Sequence, residues 1–191
     1  MPLEVYLKVT DKETGKVEYY DRSHSWNIGM LVVLFISYAQ ASPSNQYKDT
    51  GGTLRTYSTP ADNSRWWGSA VAGSGVDSFG ILVGTDSTTE DPEDDNLVQK
   101  CAQGTGTGQL QYGSCVVGNA VNASGTMSFS IARQISNNSG ATITLREVGL
   151  YLGICVSTTQ YYICCIRDVI GDTPVTTGST KIAEYIITMV N

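Results

Sequence analysis

The residues that most constrain this chain are those that alternate. Leu3, Val5, Leu7 and Val9 interleave with Glu4, Tyr6, Lys8 and Thr10. A period of two puts each set on its own face of a strand, and the apolar set must then be covered. DKETGK follows as a turn and VEYYD returns, so the start of the chain reads as a β-hairpin. The same period recurs in MSFSIARQI, where Met127, Phe129, Ile131 and Ile135 oppose Ser128, Ser130 and Ala132. FGILVGT (79–85), QLQYGSCVV, ATITLREVGLYLGI (141–154), QYYICCIRDVI and KIAEYIITMV (181–190) read as further strands. Within 141–154 the apolar phase switches from Ile143 and Leu145 to Val148, Leu150 and Leu152, which predicts a bulge beside Gly149. Residues 172–178 read as a turn around Pro174. Strands every dozen residues, separated by Gly/Asn/Pro turns, predict a mainly β chain: an antiparallel β-sandwich or jelly roll.

Two stretches interrupt this pattern. In SWNIGMLVVLFISYAQ the apolar residues 26, 30, 31, 34, 35 and 38 follow helical spacing, after Ser23 or Ser25 as a cap. That predicts one buried N-terminal helix over about 25–40. Val32, Val33 and Ile36 make the segment apolar nearly all round, so a strand stays open, and either form needs cover from its own sheet or a neighbouring subunit. Residues 41–68 read as loop, with two prolines, a GG pair and many small polar residues, closing on Trp66 and Trp67. Paired tryptophans in a polar setting serve as interface anchors or as a core cap. The expected organisation is a hairpin and helix over 1–40, part of the same domain as the rest. A loop-rich interface segment over 41–78 and a sandwich core over 79–191 follow.

Composition narrows the function classes. The chain has 191 residues, enough for one domain, and 41% hydrophobic residues, enough for a core. Twelve basic residues stand against 18 acidic ones with no basic cluster, which argues against a groove that tracks nucleic acid. Five cysteines, 101, 115, 155, 164 and 165, form neither an even framework nor a CxxC pair, and reduced, buried thiols are expected. The chain opens on a charged, alternating stretch rather than a secretion signal, and its longest apolar run, 29–41, is too short to span a bilayer. Synthesis in the cytosol, without a membrane partner, is expected.

Candidate chemistry is sparse. His24 is the single histidine, so a histidine metal site or a Ser-His-Asp triad has little to work with. Gly73-Ser74-Gly75 is a fragment of a nucleophile elbow without its strand–turn–helix setting. Six carboxylates between 86 and 95 lack the spacing of a calcium loop and read as a solvated acidic loop. Arg146-Glu147 and Arg167-Asp168 are charged pairs inside apolar strands, suited to cross-strand pairing or to partners on another chain. GTGTGQLQYG, 104–113, has neither the preceding strand nor the following helix of a phosphate loop, and lacks GK[ST]. It reads as a φ-permissive connection into a strand whose inward face begins with Leu110 and Tyr112.

The order of GILVGTD, GTGTGQLQYG, NNSGATITLREVGLY and RDVIGDTPV, with DTGG near residue 49, resembles a group of tailed-phage virion structural proteins. The resemblance covers most of the chain. It implies a structural component that assembles in many copies, as capsid decoration, minor capsid or tail protein. Its partners would be itself and other virion proteins such as the major capsid or tail proteins, and its location the virion. It implies no catalytic residue, no cofactor and no metal. Trp26, Tyr57, Trp66 and Trp67 are the expected interface residues. The alternative is a tail-associated module that binds a receptor or glycan through exposed aromatics.

Overall fold

A computed structural model describes residues 3–23, 25–31, 46–56, 68–156 and 159–190. Among them are eleven strands: β1 Leu3–Asp11, β2 Val17–Arg22, β3 Gln46–Lys48, β4 Leu54–Thr56, β5 Gly80–Gly84 and β6 Gln111–Val117. β7 Val121–Ala123, β8 Thr126–Ser136, β9 Ile143–Val156, β10 Thr159–Val175 and β11 Thr180–Val190 complete the set. The chain is mainly β, and every strand pair is antiparallel.

Two sheets make the sandwich. The larger has six strands in the order β2-β1-β11-β8-β6, with β7 also on β8; the smaller has the order β10-β9-β5. The expected N-terminal hairpin is β1–β2, and β1 lies between β2 and the last strand, β11. The alternating residues then set the core. Val5, Leu7 and Val9 of β1 are buried with Ala183 and Tyr185 of β11 and Ile131 and Ile135 of β8. Ile81, Leu82, Val83, Val148, Leu150 and Ile166 of the smaller sheet belong to the same cluster.

Four expectations change in detail. Of the helix expected over 25–40, the described part is a single turn at 28–31; Met30 packs against the core, while Ile28 and Leu31 are exposed. The remainder lies outside the described residues. The expected loop over 41–68 contains the small hairpin β3–β4, whose turn is organised by Asp49. Its Oδ1 accepts from the N–H groups of Gly51 and Thr53, at 2.9 and 3.0 Å, and its Oδ2 pairs with Arg55 at 2.7 Å. An Asp turn of this kind needs no apolar pattern to announce it. Residues 172–175 are the end of β10, not a turn, and Pro174 lies opposite Thr144. β10 is an edge strand, where a missing N–H is tolerated; the chain turns at 176–179 instead. Two register irregularities separate β10 from β9, and the unpaired residues of both are on β10 rather than on β9: Cys165, opposite Leu150–Tyr151 and so beside Gly149 as expected, and 170–172, which face Arg146 alone.

Candidate interaction surface

Most of the chain's charged chemistry is turned inward. Arg167 and Glu147 are both buried on adjacent strands, with Arg167 Nε 3.0 Å from Glu147 Oε2. Arg167 also pairs with Asp94 Oδ2 at 2.8 Å and donates to the Thr88 carbonyl at 2.8 Å. Glu147 accepts from the N–H groups of Val98 and Gln99, at 3.0 and 2.7 Å. Burial alone would lower the Arg167 pKa, but Asp94 and Glu147 outweigh that and raise it. The acidic loop is therefore more than a solvated turn. Its arms are clamped over the smaller sheet, and Glu90 takes the N–H of Val169 at 2.6 Å. Gly84 permits the clamp, because a side chain there would collide with Glu147 and the Gln99 carbonyl. The charged pairs read from the sequence thus meet across strands, Arg167 with Glu147 and Arg146 with Asp172 at 2.7 Å.

A second buried arginine seals a sheet edge. Among the described residues Arg133 forms no salt bridge and donates instead to five carbonyls: Gly73, Val76, Phe79, Ile81 and Gly113, at 2.5–3.2 Å. Its guanidinium also lies 4.8 Å from the Tyr112 ring centroid. The Tyr112 hydroxyl accepts from Val83 N–H at 3.3 Å and donates to the Cys101 carbonyl at 2.8 Å. Together they occupy the outer edge of β5, which would otherwise offer unpaired backbone. The edge of β10 is covered in part by Trp26, which bridges Ile166, and by hydrogen bonds from Asn27 and Thr50. The glycine run closes a turn into β6 as expected: Gly104 N–H reaches the Leu110 carbonyl at 3.0 Å, and Leu110 and Tyr112 are buried.

Arg133 sits between Ile131 and Ile135 on the apolar phase of β8, and that parity is its one signal in the sequence. Asp168, Tyr185 and Ser23, far apart in sequence, form a second buried group that no local pattern announces. Asp168 accepts from Ser23 Oγ at 2.9 Å and lies 3.0 Å from the Tyr185 hydroxyl, and burial raises its pKa. Cys101, Cys115, Cys164 and Cys165 are buried free thiols; burial pushes Cys101 up to about 11 and Cys164 up to about 12. Among the described residues no group of three or more His, Cys, Asp and Glu is placed to hold a metal ion, and no helix is long and apolar enough to cross a membrane.

What faces outward is of three kinds. First, the apolar face of the larger sheet outruns its cover. Leu3, Met189 and Met127 lie directly opposite one another on β1, β11 and β8, at 39%, 40% and 44% exposure. The next row inward, Val5, Ile187 and Phe129, joins the core. Second, the other face of that sheet carries Tyr6 stacked on Tyr20, with centroids 5.6 Å apart and planes 8° apart. Third, a pocket of about 200 Å³ lies between Ile28, Leu54, Pro92, Asp95 and Cys164.

Of the expected interface residues, Trp26 is half-buried and packs against the core while bridging Ile166. Tyr57, Trp66 and Trp67 lie outside the described residues, as does His24. Comparison with protein-family models, with curated proteins and with solved structures gave no match.

Proposed function

We propose that this chain is a tailed-phage virion structural protein that assembles in many copies, as a capsid decoration, minor capsid or tail component. The observation that carries the reading is the row Leu3–Met189–Met127. It continues the core's apolar face beyond the smaller sheet and leaves three large apolar side chains at one end of the sandwich. Contiguous exposed apolar surface of this kind marks interaction sites. The motif order from GILVGTD to RDVIGDTPV supports the same reading. Its mechanism is burial of surface between identical subunits or onto a lattice, with about 800 Å² per partner for a standard contact. The sandwich supplies a rigid body, with β5 sealed by Arg133 and Tyr112 so that contacts form at chosen surfaces. The net charge of −6 supports protein partners over nucleic acid.

The test is assembly. Light scattering of the purified chain across the micromolar range, with co-sedimentation on phage capsids and tails, should give symmetric oligomers or particle binding. Met127→Asp with Met189→Asp should abolish it while leaving the thermal transition in place. A strictly monomeric chain that sediments with neither capsids nor tails would sink the proposal.

A further inference from the structure

We infer that the face of the six-stranded sheet turned away from the smaller sheet is a binding platform for a neutral, hydroxyl-rich ligand, a glycan, centred on Tyr20. The register builds the platform. Arg22, Tyr6, Ile186 and Ser130 form one row across β2, β1, β11 and β8, and Tyr20, Lys8, Glu184 and Ala132 form the next. Residues directly opposite in an antiparallel ladder share a face, so these eight side chains lie together. Tyr20 is 57% exposed and is backed by Tyr6, which holds its ring as a fixed, flat surface. Such a ring, with its electron-rich face, accepts the C–H face of a sugar.

The polar groups around the ring decide the ligand's charge. Glu4 Oε2 accepts from the Tyr6 hydroxyl at 2.9 Å, and Glu4 Oε1 lies 3.5 Å from Arg22 Nη2. Lys8 Nζ lies 3.4 Å from Glu184 Oε2. The four charges beside Tyr20 therefore form two internal pairs and cancel, which matches an uncharged ligand rather than an anionic one. A paired carboxylate and guanidinium still have spare lone pairs and N–H groups, and they present acceptor and donor side by side. Neighbouring sugar hydroxyls, each donor and acceptor, fit that arrangement. Thr188 and Ser128 add hydroxyls to the row that starts at Glu4. This platform lies on the opposite face of the sheet from the Leu3–Met189–Met127 row, so it is independent of the assembly reading.

Affinity electrophoresis tests it, with the full chain run through native gels containing dextran, yeast mannan, galactomannan or hydroxyethylcellulose, and heparin as the anionic probe. At least one neutral polysaccharide should retard the wild-type chain. Tyr20→Ala should weaken that retardation tenfold or more, and Tyr20→Phe should stay within threefold because the ring face remains. Arg22→Ala, which leaves both tyrosines in place, should weaken it threefold or more and guards against misfolding of the Tyr20→Ala chain. No retardation by any neutral polysaccharide, retardation by heparin alone, or unchanged binding by a folded Tyr20→Ala chain would overturn the proposal. Loss of self-association in Tyr20→Ala without any polysaccharide binding would overturn it too, assigning the face to contacts between copies.

Discussion

The hydroxyl of Tyr185 lies 3.0 Å from Asp168 Oδ2 and 3.1 Å from the carbonyl of Val148, so one hydrogen serves two acceptors. Protonation of Asp168 resolves the conflict: the carboxyl donates to Tyr185, which then donates to Val148. Burial favours the same neutral form, and the Asp168 pKa is raised above its ordinary 3.8 even though Ser23 and Tyr185 pull it down. A carboxyl whose pKa is higher folded than unfolded contributes stability that is full below 3.8 and is lost as pH rises through the folded value. Asp168→Asn keeps the shape and lets an amide N–H point at Tyr185. The variant should lack this decline, and at pH 7 it should melt about 2–4 °C higher, a change of ~1 kcal/mol for a chain of this size. Thermal melts of both chains from pH 3 to 8 check this, and parallel pH profiles would refute it.

Arg167 ties the loop before β6 to the smaller sheet. Arg167→Met should strand the buried Glu147 and cost about 3–5 kcal/mol, the usual penalty for breaking a buried pair. Adding Glu147→Gln should recover part of that loss, since the amide needs no counter-charge. Hydrogen exchange should show faster exchange at Val98 and Gln99, whose N–H groups bond Glu147. Unchanged protection there in the single variant would refute the clamp.

Arg133→Lys is not a conservative change. A lysine keeps the charge but offers three donors on one atom, whereas five carbonyls around Arg133 are spread along 73–81 and at 113. Leaving buried carbonyls unsatisfied costs about 1–3 kcal/mol each, with partial relief from water. Urea denaturation of Arg133→Lys should show a loss of about 2 kcal/mol or more. A loss under about 0.5 kcal/mol would show that the fork geometry is dispensable.

The four buried thiols should be inert in the native chain. Their raised pKa values and burial leave almost no accessible thiolate at pH 8. Iodoacetamide followed by peptide mass spectrometry should find Cys101, Cys115, Cys164 and Cys165 unmodified until urea is added. Rapid native alkylation at any of these four would contradict the packing.

The class of fold was legible in the alternation alone. Period-two alternation in β1 and β8 set which residues face the core, since a strand has only two faces and water rejects one of them. The turn chemistry of 104–110 was legible for a local reason too: Gly104 and Gly108 have positive φ, which glycine adopts without strain. Other features arise only from contacts between segments far apart in the chain. Arg133 sits on an apolar phase because carbonyls from 73–81, distant in sequence, converge on it. The acidic loop lies against the smaller sheet because Arg167 and Glu147, 20 residues apart, are neighbours only once β9 and β10 pair. Tyr6 and Tyr20 form a platform only because the β1–β2 register sets them side by side on the face turned away from the smaller sheet. Alternation assigns a residue to a face; register and sheet packing decide what that face meets.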